Sequence, residues 1–265
     1  MSSLKIPSSK AATMSYLQML VSTGYRHWIR GEMHYSKAEA FATRMCNLYN
    51  LEATQSQRAT LKSKGIATAR LVMYAHDHDK SKIQFWLLAS PGKGLIHDRE
   101  SLSDALTTPL TWRDQYHLTK IQRESKNGGK ITWSWVMQNQ YFKDQLSMTK
   151  SAADSGQAAL KNYFGRISRM PMFSGIRDQV KLLDEYGRKT WKKKRKSEYP
   201  QVLPVKLPTM PKIEVFKDLT LPDLVKQMVE TECTRMKNTS ILAAEILENA
   251  SVNQAPVVKK QMLAK

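Results

Sequence analysis

The sequence is poor in cysteine, with only Cys46 and Cys233 among 265 residues. Two thiols cannot form a disulfide framework or supply four ligands to a structural zinc ion. Both lie in segments of helical pattern, so we expect small buried hydrophobic side chains. The glycine-rich stretch 91–94 is too short for a nucleotide phosphate loop, and no Ser or Thr follows its lysine. The sequence therefore predicts no metal site and no cofactor.

Long apolar runs are also missing. No segment approaches the roughly 20 apolar residues that span a bilayer, and residues 1–10 are polar, without the apolar part of a signal peptide. We therefore expect a cytoplasmic protein with no membrane partner. No repeat of 20–50 residues occurs. The length and 41% hydrophobic content favour one large domain, or one domain plus a small appendage, with a packed core.

Acidic residues are few compared with basic ones. The chain has 42 Lys and Arg against 23 Asp and Glu, a formal net charge of +19. Residues 213–265 carry seven of each sign, so the whole excess lies in residues 1–212, and residues 161–196 hold twelve basic and three acidic side chains. This partition favours a polyanionic partner, since each neutralised phosphate releases counterions. Solubility, a membrane surface or an acidic protein partner are the alternatives.

Composition and charge divide the chain into four predicted regions. A flexible arm (1–13) precedes a basic nucleic-acid-binding body (14–198) and a connector (199–212) that contains four prolines. The neutral region 213–265 contains an amphipathic helix, for which Thr220 is the predicted N-cap. This helix, Leu221–Leu247, has an apolar stripe from Leu221 to Met236 and docks either on its own body or on a protein partner.

The body contains two predicted β-hairpins, 68–74 with 82–88 and 116–123 with 130–137. A short strand within 24–33 and helices over 36–48 and 54–63 come before them, a helical turn at 101–106 lies between them, and helices follow from residue 139. This order predicts an α+β fold, with an antiparallel sheet packed with helices and a helical C-terminal half. An RRM-like or ferredoxin-like arrangement is compatible with it, although the sequence does not fix the strand order.

Two groups of residues are candidates for contacts to nucleic acid. Arg26, Trp28 and Arg30 alternate on one strand face, where an exposed indole would stack on unpaired bases of RNA or single-stranded DNA; the alternative places Trp28 in the core. The basic run 189–196 has more cations than a helix C-terminus needs. The predicted phosphate contacts outside the strand are Lys120, Arg123, Arg166, Arg169, Arg188, Lys189, Lys192, Lys193, Lys194, Arg195 and Lys196.

Evidence for catalysis is weaker, and a non-enzymatic protein is favoured. His27 and His97 are candidates for the general base or acid of a metal-independent ribonuclease; Tyr25 and Lys93 lie near them in sequence. An ordinary loop or strand histidine is the alternative for each. The tetrad 76–79 (HDHD) differs from the paired-histidine motif of rolling-circle nucleases, because an aspartate stands where that motif has a bulky hydrophobic residue.

Three segments, 92–106, 131–137 and 170–180, resemble proteins encoded on plasmids and integrative elements, and the resemblance extends over about residues 68–212. It implies a mobile-element setting, in which basic α+β proteins serve as subunits of nucleoprotein complexes, including plasmid-borne CRISPR effector complexes. Three hypotheses follow: a nucleic-acid-binding subunit, a metal-independent endoribonuclease that processes structured RNA, for instance CRISPR repeats, and a scaffold for an acidic protein.

Overall fold

The computed structural model describes residues 4–76, 78–122, 129–195, 197–210 and 214–252, with side chains described as far as residue 241. It has the predicted α+β fold, with antiparallel sheets and a helical C-terminal part. The elements are β1 (Lys5–Pro7), α1 (Lys10–Ser22), β2 (His27–His34), a 3-10 turn (Tyr35–Lys37), α2 (Ala38–Tyr49), α3 (Gln55–Ser63), β3 (Ala69–Ala75), β4 (Lys82–Ala89), α4 (Leu95–Arg99), β5 (Ser103–Asp104), β6 (Thr111–Trp112), β7 (Tyr116–Gln122), β8 (Ile131–Met137), α5 (Asn139–Ser155), α6 (Gln157–Ile167), α7 (Ser174–Lys194), β9 (Phe216–Thr220) and α8 (Leu221–Val252).

The central sheet has the strand order β3–β4–β2–β5, and every neighbouring pair in it is antiparallel. Along the chain, α2 and α3 separate β2 from β3, and α4 separates β4 from β5. This is the βαββαβ succession of ferredoxin-like and RRM-like units. The last two elements of this succession are short, since α4 has only five residues and β5 only two.

The central sheet separates two hydrophobic cores. Side chains alternate between its faces, so Ile29 and Leu87 point to one side and Trp28 and Trp86 to the other. The first face contributes to the core formed with α2, α4 and the start of α8. The second face contributes to the core formed with α1, the second sheet and helices α5–α7. A protein layer therefore covers each face.

The second sheet has the order β6–β7–β8. Trp135, on β8, is fully buried and donates its Nε1 proton to the Met14 carbonyl at 2.8 Å. The first turn of α7 lies against β8, where the Ser134 hydroxyl accepts the Gly175 N–H at 3.0 Å. An added Cβ on Gly175 would lie 2.7 Å from the Trp135 carbonyl, so this close approach needs glycine.

Several local signals give the predicted elements. Thr54 and Gln57 form the capping box that begins α3, and both predicted hairpins are present. The helical region predicted from residue 139 begins with two helices, α5 and α6, which are separated at Gly156, whose φ is 122°.

Three predictions about local structure are wrong. The arm predicted over residues 1–13 is ordered where the structure describes it, because Lys5–Pro7 pairs with β9 and α1 begins at Lys10. The helical turn predicted at 101–106 is replaced by α4 and β5. Cys233 is exposed and Cys46 only partly buried. The connector lacks helix and strand over 199–210, as predicted for an extended segment, but Tyr199, Val202, Leu203 and Leu207 pack on the first core.

The beginning of α8 docks on the body. Leu221, Leu224 and Met228 are buried in the core on the α2 side of the central sheet, and the Tyr35 hydroxyl hydrogen-bonds the Glu232 carboxylate. From Val229 to Ile241 nearly every side chain is exposed. Within the described residues, no helix combines the length and the apolar character that crossing a membrane requires.

Candidate nucleic-acid interface and histidine pair

The last turns of α7 carry the predicted basic run, and the buried stripe of this helix fixes which cations face solvent. Trp191 is buried and donates its Nε1 proton to the Ser197 carbonyl at 3.0 Å, so it anchors the helix end to the body. Lys189, Lys192 and Lys193 lie on the outer side, at helical spacings that bring neighbouring side chains together. All three are exposed, and none forms an ion pair with another described residue.

Arg188 and two cations of the run make intramolecular contacts. Arg188 pairs with Asp184 at 2.9 Å and lies over the Tyr199 ring. Lys194 pairs with Asp154 at 2.9 Å. The guanidinium of Arg195 lies 4.7 Å from the centre of the Trp191 ring and donates a hydrogen bond to the Asp154 carbonyl. These contacts leave three lysines as the best phosphate ligands, whereas Lys196 and Arg123 lie outside the described residues.

The two predicted arginines near α6 are exposed. Arg166 lies in the last turn of α6 and Arg169 just after it, and neither is ion-paired within the described residues. Helix α5 contacts both α6 and α7. The cations of α6 and α7 therefore belong to one three-helix layer.

The predicted stacking of bases on Trp28 is wrong. Its side chain is buried, at 7% exposure, and its Nε1 donates to the Thr108 carbonyl at 3.0 Å. Arg26 lies 3.3 Å from Asp104, and only Arg30 is fully exposed. The alternation on β2 was identified correctly, but the second sheet and α1 cover the face on which Trp28 lies. Nothing in the strand pattern reveals that covering layer.

A partly exposed aromatic side chain occurs instead on the β7–β8 hairpin. Trp86 and Trp135 are core residues, but Trp133 is only partly buried. Lys120 is its cross-strand partner, with Nζ 5.6 Å from the centre of the indole ring. Ile131, the next residue on that face, is 66% exposed. A cation and an aromatic face thus meet near the outer end of this hairpin, where Lys130 is also exposed.

The two candidate catalytic histidines lie side by side. His27 begins β2, and His97 lies on α4, yet their ring centres are 4.9 Å apart with the planes at 87°. The antiparallel pairing of β2 with β5 places Asp104 directly opposite His27. His27 Nε2 is 3.8 Å from Asp104 Oδ2, and Arg26 Nε is 3.3 Å from the same oxygen.

Burial determines the charge of His27. Its pKa is lowered from 6.5, chiefly by burial; His97 and Arg26 lower it further, whereas the Asp104 carboxylate and the Ala89 backbone carbonyl oppose the shift. The neutral imidazole therefore predominates at pH 7. The other histidine has a fixed hydrogen bond: His97 Nε2 lies 2.9 Å from the Ser90 carbonyl, which can only accept, so Nε2 carries a proton.

Tyr25 and Lys93, the two residues near the candidate histidines in sequence, differ in their exposure to solvent. Tyr25 is buried, its hydroxyl accepts a hydrogen bond from Thr68, and Lys62 lies over its ring. Lys93 is exposed on the loop between β4 and α4, and its backbone pairs with Gly65 and Ala67. Of the two, Lys93 alone is placed to contact a large ligand.

The described residues of the HDHD tetrad lie between β3 and β4. His76 is buried, its Nδ1 accepts the Asp79 N–H at 2.8 Å, and its Nε2 lies 3.4 Å from Glu32. Arg113 also contacts the His76 ring, and Asp77 lies outside the described residues. In the described part of the chain, no three His, Cys, Asp or Glu side chains are arranged to hold a metal ion.

Comparison with protein-family models, with curated proteins and with solved structures finds no match to this chain. The resemblance to proteins of plasmids and integrative elements therefore stays a prediction.

Proposed function

We propose that this protein binds nucleic acid through the outer face of the α7 C-terminus and the β7–β8 hairpin, as a subunit of a nucleoprotein complex. The observation that carries the proposal is the cluster of Lys189, Lys192 and Lys193, three exposed ammonium groups within about one helical turn and without ion pairs among the described residues. Three adjacent cations repel one another, and a phosphate backbone relieves that repulsion while it releases counterions.

The hairpin favours RNA or single-stranded DNA over a duplex. Unpaired bases stack on exposed aromatic rings, and nearby cations hold their phosphates. Trp133 with Lys120 offers this combination. The proposed mobile-element setting and a protein partner for the exposed part of α8 rest on sequence alone.

The test is a salt titration of binding. Fluorescence anisotropy with a labelled mixed-sequence single-stranded RNA gives the slope of log K against log salt for the wild type and for the triple variant Lys189→Ala, Lys192→Ala, Lys193→Ala. Each lost phosphate contact removes about 0.7–0.9 from that slope, so the triple variant should lose about 2 to 3.

A matched control replaces Lys217, Lys226 and Lys237 by alanine, three exposed lysines of the charge-neutral C-terminal region. It removes the same formal charge and should keep a slope near that of the wild type. Equal losses in the two triple variants would mean that only net charge matters, and would exclude a specific α7 interface. Wild-type protein that binds neither RNA nor DNA at low salt would refute the proposed function.

A further inference from the structure

We propose that the His27–His97–Asp104 cluster cleaves RNA without a metal ion, by activating a 2′-hydroxyl for attack on the adjacent phosphate. This inference rests on the proposed function, since it names RNA as the substrate class of the same protein. The observation behind it is the contact between the imidazole rings of His27 and His97, two residues 70 positions apart in the sequence. The Asp104 carboxylate and the Arg26 guanidinium lie beside His27.

The cluster lies at one end of the central sheet and opens to solvent. His27, Ala89 and Ala69 form one cross-strand row, and Asp104 continues that row on the other side of His27. The side chains of His27, Asp104 and Arg26 are 21%, 26% and 41% exposed. Their partial burial restricts their conformations, and their exposed atoms remain accessible to an extended strand of RNA.

His27 has the properties of the general base. Its Nδ1 is buried, so Nε2 is the nitrogen that a substrate can contact. The lowered pKa favours the neutral ring, and in the Nδ1–H tautomer of that ring Nε2 can accept a proton. When Nε2 accepts the proton of a 2′-hydroxyl, the resulting imidazolium faces the Asp104 carboxylate 3.8 Å away. Asp104 is therefore a positioning residue that stabilises the charge formed on His27.

His97 has the properties of the general acid. Its Nε2 donates a hydrogen bond to the Ser90 carbonyl, so Nδ1 is the nitrogen left to contact a substrate. In the protonated ring, Nδ1–H can donate to the departing 5′-oxygen. Arg26 next to the pair supplies a fixed positive charge for the phosphate oxygens.

The reaction balances without an oxidant or a metal. The bond from the 2′-oxygen to phosphorus forms as the bond from phosphorus to the 5′-oxygen breaks. One proton passes from the 2′-hydroxyl to His27, and another from His97 to the 5′-oxygen. The products are a 2′,3′-cyclic phosphate and a 5′-hydroxyl end, and DNA, which lacks the 2′-hydroxyl, is not a substrate.

The experiment incubates purified protein with a set of end-labelled structured and single-stranded RNAs in EDTA, and with the same sequences as DNA. Cleavage of RNA alone, with cyclic phosphate ends identified by mass spectrometry, is expected. His27→Gln and His97→Gln should each lower the rate by about 10²-fold or more. The control His34→Gln changes an exposed histidine at the opposite end of β2 and should retain the wild-type rate.

The pH–rate profile separates chemistry from a structural role. Asp104→Asn removes the carboxylate that favours protonated His27, so the rising limb of the profile should move to lower pH. A loss of rate with an unmoved profile would overturn the positioning role of Asp104. Circular dichroism checks that each variant is folded. If one histidine variant is unfolded, the rate of the other and the pH–rate profile of Asp104→Asn still test the inference.

Binding is measured on the same preparations. RNA binding without cleavage would overturn this inference and leave the proposed function intact, whereas absence of binding would refute the proposed function itself. Cleavage that persists in both histidine variants would assign the activity elsewhere and overturn the inference.

Discussion

The indole rings of Trp86 and Trp112 stack with their centres 5.0 Å apart and their planes inclined by 20°. Trp86 lies on the sheet face opposite the α2 side, the face on which RRM domains stack bases, and Trp112 comes from the second sheet. A protein side chain thus covers this face of the central sheet at Trp86. The βαββαβ succession is therefore not accompanied by an open sheet face at this position.

The first prediction concerns Trp133. Stacking of a base on an aromatic ring is worth about 1–3 kcal/mol, so Trp133→Ala should weaken single-stranded RNA binding by about 5- to 150-fold. Since the indole is only partly buried, the variant should remain folded. Anisotropy with single-stranded and duplex RNA of one sequence measures the effect, and Trp133→Phe, which keeps a ring, should lose less. Equal loss for single strand and duplex would argue against stacking.

The second prediction concerns the titration of His27. Asp104 raises its pKa and His97 lowers it. Asp104→Asn should therefore move the His27 pKa further down, whereas His97→Gln should move it up. Histidine NMR resonances followed over pH measure both shifts. Shifts in the same direction would mean that the two side chains do not act on His27 through their charges.

The third prediction compares two helical glycines. A Cβ at position 175 would lie 2.5 Å from Val136 Cγ1, so Gly175→Ala should lower the free energy of unfolding by about 1–3 kcal/mol. Gly165 has no heavy atom within 4 Å of an added Cβ, so Gly165→Ala should raise it by about 0.5–1 kcal/mol. Urea unfolding followed by circular dichroism measures both changes. A stabilised Gly175→Ala variant would contradict the close contact between α7 and β8.

The fourth prediction concerns stability in mild acid. Burial lowers the pKa of His117 from 6.5, so below pH 6.5 the unfolded chain binds more protons at this site than the folded protein does. Its contribution to the free energy of unfolding is present above pH 6.5 and decreases as the pH falls toward the folded pKa. His27 acts in the same direction.

Urea midpoints measured between about pH 7.5 and 5 should therefore decrease for the wild type, and less for His117→Gln. The control His34→Gln, in which an exposed histidine is removed, should follow the wild-type pH dependence. A wild-type midpoint that rises as the pH falls through 6.5 would contradict the sign.

Local patterns predicted much of the fold. The hairpins follow from alternating apolar residues and a turn that includes Gly129, whose φ is 58°, and α3 follows from its capping box at Thr54. The pairing of Lys5–Pro7 with β9 could not be predicted, because three residues far from their partner carry no local signal. The two-residue β5 also owes its existence to its partner, β2.

The candidate sites, like the fold, could be predicted from the sequence only in part. His27 and His97 could be identified separately, but Asp104 could not be distinguished from other surface acids, because only the β2–β5 register brings it to His27. The basic run was evident in the sequence. Its division into paired and unpaired cations depends on Asp154 and Asp184, which other parts of the helical layer supply.

The pairing of β1 with β9 has a consequence for biosynthesis. Lys5 lies opposite Thr220, and the buried Leu221, Leu224 and Met228 follow at once. A ribosome must therefore translate more than two hundred further codons before the first strand finds its neighbour. Until then Ile6 and the surface of α2 that the start of α8 covers lack their apolar contacts, and exposed apolar surface of this kind is prone to aggregation.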